Sequence, residues 1–457
     1  MYNRLTSEVI SQQRNLMKIK RMELFPITAE LNRQDHLVIG GCDCVSLLRR
    51  YGSPLYIFDE ATIRSQCREF RREFGVSYDN STVAYASKAF ISRPLAAIME
   101  EEGMGLDVVS GGEMAVALSV DFPTDRIYFH GNNKTPDELR LAISYNVGRV
   151  VVDNFYELDL LNRLAEEKET RVNILLRLNP GVDPHTHRYT ATGMLDSKFG
   201  FPIGTGQAEA AVRRALSSKH LKLRGLHFHL GSPITEVAPY NQGLEVVLKF
   251  AARMKKDQGY EMEELSPGGG FPARYVSSQK IPPVSEYAEA IVGGLVSLTR
   301  ELRLARPKLI IEPGRGVVAR AGVAMYTAGA IKDIPGVRKY VCVDGGMGDN
   351  IRPVIYGAGY EALLANRASA AYQEKVTIAG RYCESGDILI RDIKMPAISP
   401  GDVLAIPVCG AYCIPMSSNY NMVPHPAVVM VNEGRARLIR RRQKYSDLMK
   451  YDIMGKD

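Results

Sequence analysis

Eight short apolar runs recur between residues 82 and 312, each running into a polar or glycine-rich stretch, and most are separated by helical patterns. They are Thr82–Ala86, Gly105–Val109, Ile127–Phe129, Arg149–Val152, Asn173–Leu178, Gly225–Leu230, Glu264–Ser266 and Leu309–Glu312. Between them, Arg93–Glu102, Gly112–Ser119, Pro136–Tyr145, Phe155–Lys168 and Ala208–Ser217 carry apolar residues at helical spacing. Strands apolar on both faces, alternating with helices, form a parallel sheet whose crossovers cover it. Eight such units over about 230 residues predict a (β/α)8 TIM-type barrel.

In a barrel of this kind the chemistry gathers where strands end. The first run leads to Lys88, in Ser81–Phe90, where Val83, Tyr85 and Ser87 alternate with Ala84, Ala86 and Lys88. A lysine carried into a barrel mouth loses water, drops in pKa and condenses with a carbonyl. Taken alone, it reads more readily as a solvated strand end. The ends of the other runs narrow the reading. The second leads into Asp107-Val-Val-Ser-Gly-Gly-Glu113 and the third into His130-Gly-Asn-Asn-Lys134. The fifth leads into Asn179–His187 and Thr192–Gly200, and the sixth into His227-Phe-His-Leu-Gly-Ser232. The seventh ends in Pro267-Gly-Gly-Gly-Phe271 and the eighth in Glu312-Pro-Gly-Arg-Gly316. Glycine loops after the last two strands are where barrels build phosphate sites from backbone N–H groups. A lysine, a phosphate cradle, a stacking histidine (His229) and a carboxylate (Glu312) for a pyridine nitrogen suit pyridoxal 5'-phosphate. Lys88 would then hold the aldehyde as a Schiff base. Individually, His229 also reads as a satisfied core histidine, and Glu312 as a turn cap or ion-pair partner.

Past Ala321 the pattern changes. Val323–Ile331, Lys339–Val343, Lys375–Ala379, Val403–Ile406 and Ala427–Val431 are apolar runs with turn signals between them and little helical periodicity. They predict a C-terminal β-sandwich or β-barrel domain. The expected division is an N-terminal extension over 1–36, strands over 37–58 joining the β-domain, the barrel over 59–320, and the β-domain over 321–457.

Composition excludes several classes of function. A net charge of +7 over 457 residues, with only the short cluster Arg440-Arg-Arg442, gives no nucleic-acid arm, and no nucleic-acid partner is expected. No apolar stretch approaches the roughly 20 residues a bilayer requires, so no membrane association is expected. Residues 1–21 lack the apolar centre of a secretory signal. Seven cysteines, with no CxxC pair and no histidines at zinc spacing, predict reduced thiols in a cytoplasmic protein and no metal site.

The set Tyr85-Ala-Ser-Lys88, His227–Ser232, Gly268-Gly-Gly270, Glu312-Pro-Gly-Arg315, Cys383-Glu-Ser-Gly-Asp387, Gly410-Ala-Tyr412 and Ser418-Asn-Tyr-Asn421 resembles the fold-type III pyridoxal phosphate-dependent decarboxylases. Their architecture is the alanine-racemase-like barrel with a β-domain, and the likeness runs from about Pro54 to the C-terminus. Asp196-Ser-Lys-Phe-Gly200 and Cys383–Asp387 resemble the diaminopimelate decarboxylase branch more than ornithine or arginine relatives. The resemblance implies that Lys88 bonds the cofactor, His229 stacks on its ring, Glu312 meets its nitrogen and Asp107 lies at its edge. Ser232, Gly269, Gly270 and Gly314, Arg315 and Gly316 would hold the phosphate, with Tyr412 beside the cofactor. Arg315, Arg352 and Tyr356 would bind a substrate carboxylate. Cys383, the expected proton donor, and Glu384, facing the distal ammonium, would come from the second subunit of a homodimer.

The implied reaction is decarboxylation of an amino acid, on this branch meso-2,6-diaminopimelate to L-lysine in lysine biosynthesis. Three segments depart from the family pattern: Pro233 stands where glutamine is frequent, Cys413-Ile-Pro-Met416 is unfamiliar, and Met422-Val-Pro-His-Pro426 replaces an Arg-Pro-rich stretch. They border the expected substrate end. A carboxylated amine of siderophore or antibiotic biosynthesis, and D-lysine or D-ornithine, therefore stay open as substrates. A non-catalytic pyridoxal phosphate-binding protein would lack the β-domain and the Cys383–Asp387 segment. A racemase would need a tyrosine base on the opposite face, and the cysteine motif argues against it.

Overall fold

The computed structural model describes residues 21–183, 193 and 195–455. The first twenty residues of the N-terminal extension, and His185, His187 and Thr192 of the loop after the fifth strand, lie outside the described residues. The chain folds as two compact units. One takes in the chain through Arg64, Ala273–Lys280 and everything from Val318; the other comprises Ser65–Pro272 and Ile281–Val317.

The second unit is a closed barrel of eight parallel strands: Ser81–Ala86, Gly105–Val108, Ile127–Phe129, Arg149–Val152, Val172–Asn179, Leu221–Phe228, Glu264–Gly268 and Lys308–Ile311. Each pairs with the next, and the eighth pairs with the first, so no edge is left open. Ala84, Tyr128, Val151, Leu175 and Ile310 pack into one buried cluster contributed by five of the strands. Small residues set against large ones let such layers interdigitate.

The crossover helices start on caps written into the sequence. Ser92, Ser110 and Asn154 each accept the N–H three residues on, and Thr135 with Glu138 closes a capping box. Thr135→Ala is expected to destabilise the fold by about 1 kcal/mol, read as a lower urea midpoint, without altering catalysis.

Most of the expected strand limits shift by one or two residues, and one by four. The sixth strand begins at Leu221 rather than Gly225, because Leu221 and Leu223 alternate with Lys222 and Arg224 ahead of a register shift. The first strand ends at Ala86, whose N–H bonds Pro313 O, so Lys88 is presented from the 3-10 turn Ser87–Ala89 instead of from the strand itself.

In the other unit, Gly322–Ile334 is the hub. It pairs antiparallel with Leu55–Asp59, Arg338–Val343 and Val403–Ile406. Leu55–Asp59 in turn lies parallel to Ala427–Asn432. Phe25, Leu37, Ile39, Leu55, Ile57, Val323, Met325 and Val429 share this unit's core. The longest strands of this unit to go unanticipated, Ile388–Met395 and Arg435–Arg440, stand at the ends of the strand order. Edge strands carry charge that discourages further pairing, which erases the apolar alternation that marks a strand. Among the described residues, no helix is long and apolar enough to cross a membrane.

Candidate active site

The barrel mouth assembles its polar groups from strand ends. Lys88 Nζ lies 3.8 Å from Asp107 Oδ2. Asp107, on the second strand, is 1% exposed, and neither carboxylate oxygen has a hydrogen-bond partner among the described residues. Such orphaned acceptors beside an amine are what a polar cofactor would satisfy. Close by, Glu113 accepts the Val109 N–H at 2.8 Å. Burial pushes its carboxyl up to about 7, assisted by the Asp107 charge and opposed by Lys88.

Glu312 follows the eighth strand and is 5% exposed. Its Oε1 accepts Ser266 Oγ–H at 2.8 Å, and its Oε2 lies 3.1 Å from His227 Nε2. His130 Nε2 stands 3.4 Å from Oε1. Burial alone would raise this carboxyl, but His227 and His130 hold it well below the usual range. His227 is itself lowered to about 4, chiefly by burial. The cluster at neutral pH is therefore one carboxylate facing uncharged His227.

This has a consequence for acid stability. Below about 6.5 the unfolded chain protonates His227 while the folded chain refuses the proton until about 4. Stability is expected to fall as pH drops through that window, and protonation of Glu312 extends the loss at lower pH. Unfolding midpoints measured between about pH 7 and pH 4 should show the slope, and His227→Gln should flatten it.

His229 follows His227 by two residues, the spacing that returns a strand side chain to one face. Its Nδ1 accepts the Gly269 N–H at 3.2 Å, which leaves Nε2 as the protonated nitrogen. Burial first, then the Lys88 and Arg177 charges, keep the ring neutral. Arg177, on the fifth strand, sits 3.8 Å from Asp153 and 4.4 Å over the Phe199 ring. Gly200 N–H bonds the same Asp153 at 3.0 Å, which anchors the Ser197–Gly200 segment.

The glycine loops are close-packed backbone. A Cβ on Gly269 would lie 2.1 Å from Glu312 O, and Gly270 has φ +106°, where side chains are strained. A Cβ on Gly314 would crowd Ala86 and Ala89. Arg315 donates to Ser232 Oγ at 3.3 Å, linking the loops after the sixth and eighth strands. Gly316 meets Phe70 and Phe271. Lys88, Asp107, His229, Ser232, Gly269, Gly270, Glu312 and Gly314–Gly316 all belong to this one unit.

The remaining expected residues lie in the other unit. Arg352 is 5% exposed, 4.3 Å over the Tyr275 ring, and donates to Tyr360 Oη. Tyr360 Oη lies 3.8 Å from Cys413 Sγ, which donates to Asn350 Oδ1 at 3.4 Å. The unfamiliar Cys413–Met416 segment thus backs the arginine. Tyr356 ends the short helix Arg352–Tyr356 and is half-buried. Cys383 and Glu384 are exposed. Cys383 N–H bonds Asn421 Oδ1 at 2.9 Å and its carbonyl accepts Tyr420 Oη–H at 3.4 Å. Asp387 accepts the N–H groups of Met347 and Tyr382 at 2.7 and 2.9 Å, fixing the loop that displays the cysteine. Tyr412 sits half-buried at φ +62°.

Sequence reasoning did not assign His130, His227, Ser266, Tyr360 or Cys413 to the site. The repeat of histidine at two-residue spacing in His227-Phe-His229 was the available signal for the first of these groups, since it places both rings on one face.

Comparison with known proteins converges on the same chemistry. Residues 60–319 match the family "Pyridoxal-dependent decarboxylase, pyridoxal binding domain". Fold and site together define a pyridoxal-dependent decarboxylase, with pyridoxal 5'-phosphate as its cofactor. The diaminopimelate decarboxylase of Bacillus subtilis (strain 168) is 45% identical over 426 residues, 93% of this chain and 97% of that protein. That of Bacillus methanolicus is 44% identical over 416 residues, 91% and 96% of the two chains. The crystal structure of diaminopimelate decarboxylase from M. jannaschii in co-complex with L-lysine is similar at a TM-score of 0.89 and 34% identity, covering 94% of this chain and 98% of that one. The chain belongs to the diaminopimelate decarboxylase family.

Proposed function

We propose that this chain decarboxylates meso-diaminopimelate to L-lysine and carbon dioxide. The near full-length likeness to diaminopimelate decarboxylases carries the choice of substrate. The lysine beside a buried, orphaned aspartate, in a barrel that also keeps Glu312 ionised, supports the cofactor chemistry.

The residues fit pyridoxal phosphate. Lys88 would take its aldehyde carbon, His229 its ring face and Glu312 its ring nitrogen. Asp107 and Tyr412 would stand at its edges, and Ser232, Gly269, Gly270 and the Gly314–Gly316 backbone would receive its phosphate. When bound, the cofactor supplies an electron sink for the pair left behind as carbon dioxide departs.

The chain's own groups do the rest. Asp107, 3.8 Å from the Lys88 amine, orients it. The neutral His229 ring offers an apolar face without competing for charge. Arg315, Arg352 and Tyr356 bind a substrate carboxylate, where guanidinium donors give directional recognition. Cys383 delivers a proton from Sγ to the carbon that has lost its carboxylate. Glu384 accepts the distal ammonium of the substrate. We assign Cys383 and Glu384 to the site of a second subunit, so that the working form is a homodimer. The proposed compartment is the cytoplasm, where its free cysteines stay reduced.

The test is carbon dioxide release with product identification by mass spectrometry. The protein loaded with pyridoxal phosphate is offered meso-diaminopimelate, ornithine, D-lysine and arginine. L-lysine formed from meso-diaminopimelate, with the other three left unchanged, is the expected result. A cofactor trapped on Lys88 by borohydride with no turnover of diaminopimelate overturns the substrate.

A further inference from the structure

Three barrel strands supply a group directed at the Glu312 carboxylate. His227, ending the sixth, brings Nε2 to 3.1 Å of Oε2. His130, just past the third, brings Nε2 to 3.4 Å of Oε1. Ser266, in the seventh, donates to Oε1 at 2.8 Å. All are buried, the histidines at 4% and 1% exposure. The two rings meet edge to face, 4.8 Å between centroids.

The surroundings of the His227 ring set its tautomer. His227 Nδ1 is buried with no hydrogen-bond partner, so a proton there would be stranded, and the ring's proton belongs on Nε2 toward Glu312. His130 Nε2 lies near two carboxylates, Glu312 and, at 3.8 Å, Asp107 Oδ1. It makes no hydrogen bond to either, so this approach is an electrostatic one. Arg177, Tyr128 and His229 also lie in the electrostatic surround of Glu312.

We propose that His227 is a positioning residue acting through Glu312: its imidazole, protonated on Nε2, donates to the carboxylate and, with Ser266 and the His130 ring beside it, fixes that carboxylate in one rotamer against the ring nitrogen of pyridoxal phosphate. The inference rests on the role proposed for Glu312 and deepens it. Neutral donors suit the task better than a cation would. A lysine or arginine at this place would satisfy the Glu312 charge and compete with a protonated ring nitrogen for it. An imidazole N–H holds the carboxylate while leaving its negative charge for the cofactor.

Two imidazoles and a carboxylate, with ligand atoms within 4.8 Å of one another, also have the composition of a zinc site. The proton decides between them. A metal needs the Nε2 lone pairs, whereas the clamp needs the His227 Nε2 proton.

The experiment uses the full-length protein with 15N-labelled histidine, with and without pyridoxal phosphate. NMR is expected to find His227 neutral and protonated on Nε2 near pH 7. His130→Leu and His227→Leu are each expected to weaken cofactor binding about tenfold or more and to shift its visible absorbance. The glutamine variants keep an N–H near the Nε2 position and should recover most of the affinity and the wild-type spectrum. Thermal unfolding of each variant is followed in parallel. Leucine variants that lose thermal stability while keeping spectrum and affinity overturn the proposal. An unprotonated His227 Nε2, or stoichiometric zinc removable by a chelator, overturns it as well. Glu312→Gln separates this inference from the reading beneath it. An unchanged Glu312→Gln spectrum removes the role of Glu312 and the clamp with it. A changed one beside unchanged leucine variants removes the clamp alone.

Discussion

Lys88→Ala is expected to abolish turnover, with a loss of about 10^4-fold or more, on the scale seen when a covalent nucleophile is removed. The fold should survive. The lysine side chain is 41% exposed and its ion contact to Asp107 is a long 3.8 Å, so little packing is lost with it. Far-UV circular dichroism and the unfolding midpoint should stay close to wild type, while borohydride no longer fixes the cofactor to the chain. A Lys88→Ala protein that keeps more than a small fraction of wild-type kcat would remove the lysine from the centre of the chemistry.

Cys383→Ala carries the second large effect. A positioned proton donor contributes about 10^2- to 10^4-fold, so kcat should fall by that range while KM changes little. Because the cysteine is exposed and its loop is held by backbone bonds to Asn421 and by Asp387, the substitution has no route to a structural collapse. The assignment of this residue to a neighbouring subunit's site has its own test. Lys88→Ala and Cys383→Ala proteins, each nearly inactive, are mixed under conditions that exchange subunits. Sites that borrow Cys383 from the partner then regain function in mixed dimers, because one site receives both wild-type residues. No recovery, with subunit exchange verified, would place both residues in the same chain's site.

Much of the site was legible because barrels separate folding from chemistry. Apolar runs mark the strands, and whatever polar residue interrupts the end of a run is free for function; Lys88, His229 and Glu312 stand out for that reason. The clamp around Glu312 was harder to see. His130 and His227 stand in the sequence only as polar residues at strand ends, and closure of the barrel brings them to one carboxylate. Arg352 shows the same limit. Its phenolic partner is Tyr360, which returns to it because Gly357 ends the helix in a left-handed turn at φ +59°. Tyr356, which the resemblance implies as a carboxylate binder, stands at the other end of the same short helix. The edge strands Ile388–Met395 and Arg435–Arg440 were hidden by the charges that protect them.

The pairing of Leu55–Asp59 between Gly322–Ile334 and Ala427–Asn432 has a bearing on how the chain is made. A segment synthesised early has both its neighbours only when Ala427–Asn432 has left the ribosome. The barrel, continuous but for Ala273–Lys280, has every strand and crossover available well before that point. Synthesis should therefore yield a folded barrel while Leu55–Asp59 waits as an unpaired apolar strand, the kind of segment that chaperones bind and that aggregates when delayed. Shortening the chain before Ala427 would make that waiting state permanent, and soluble yield, more than activity, would register the loss.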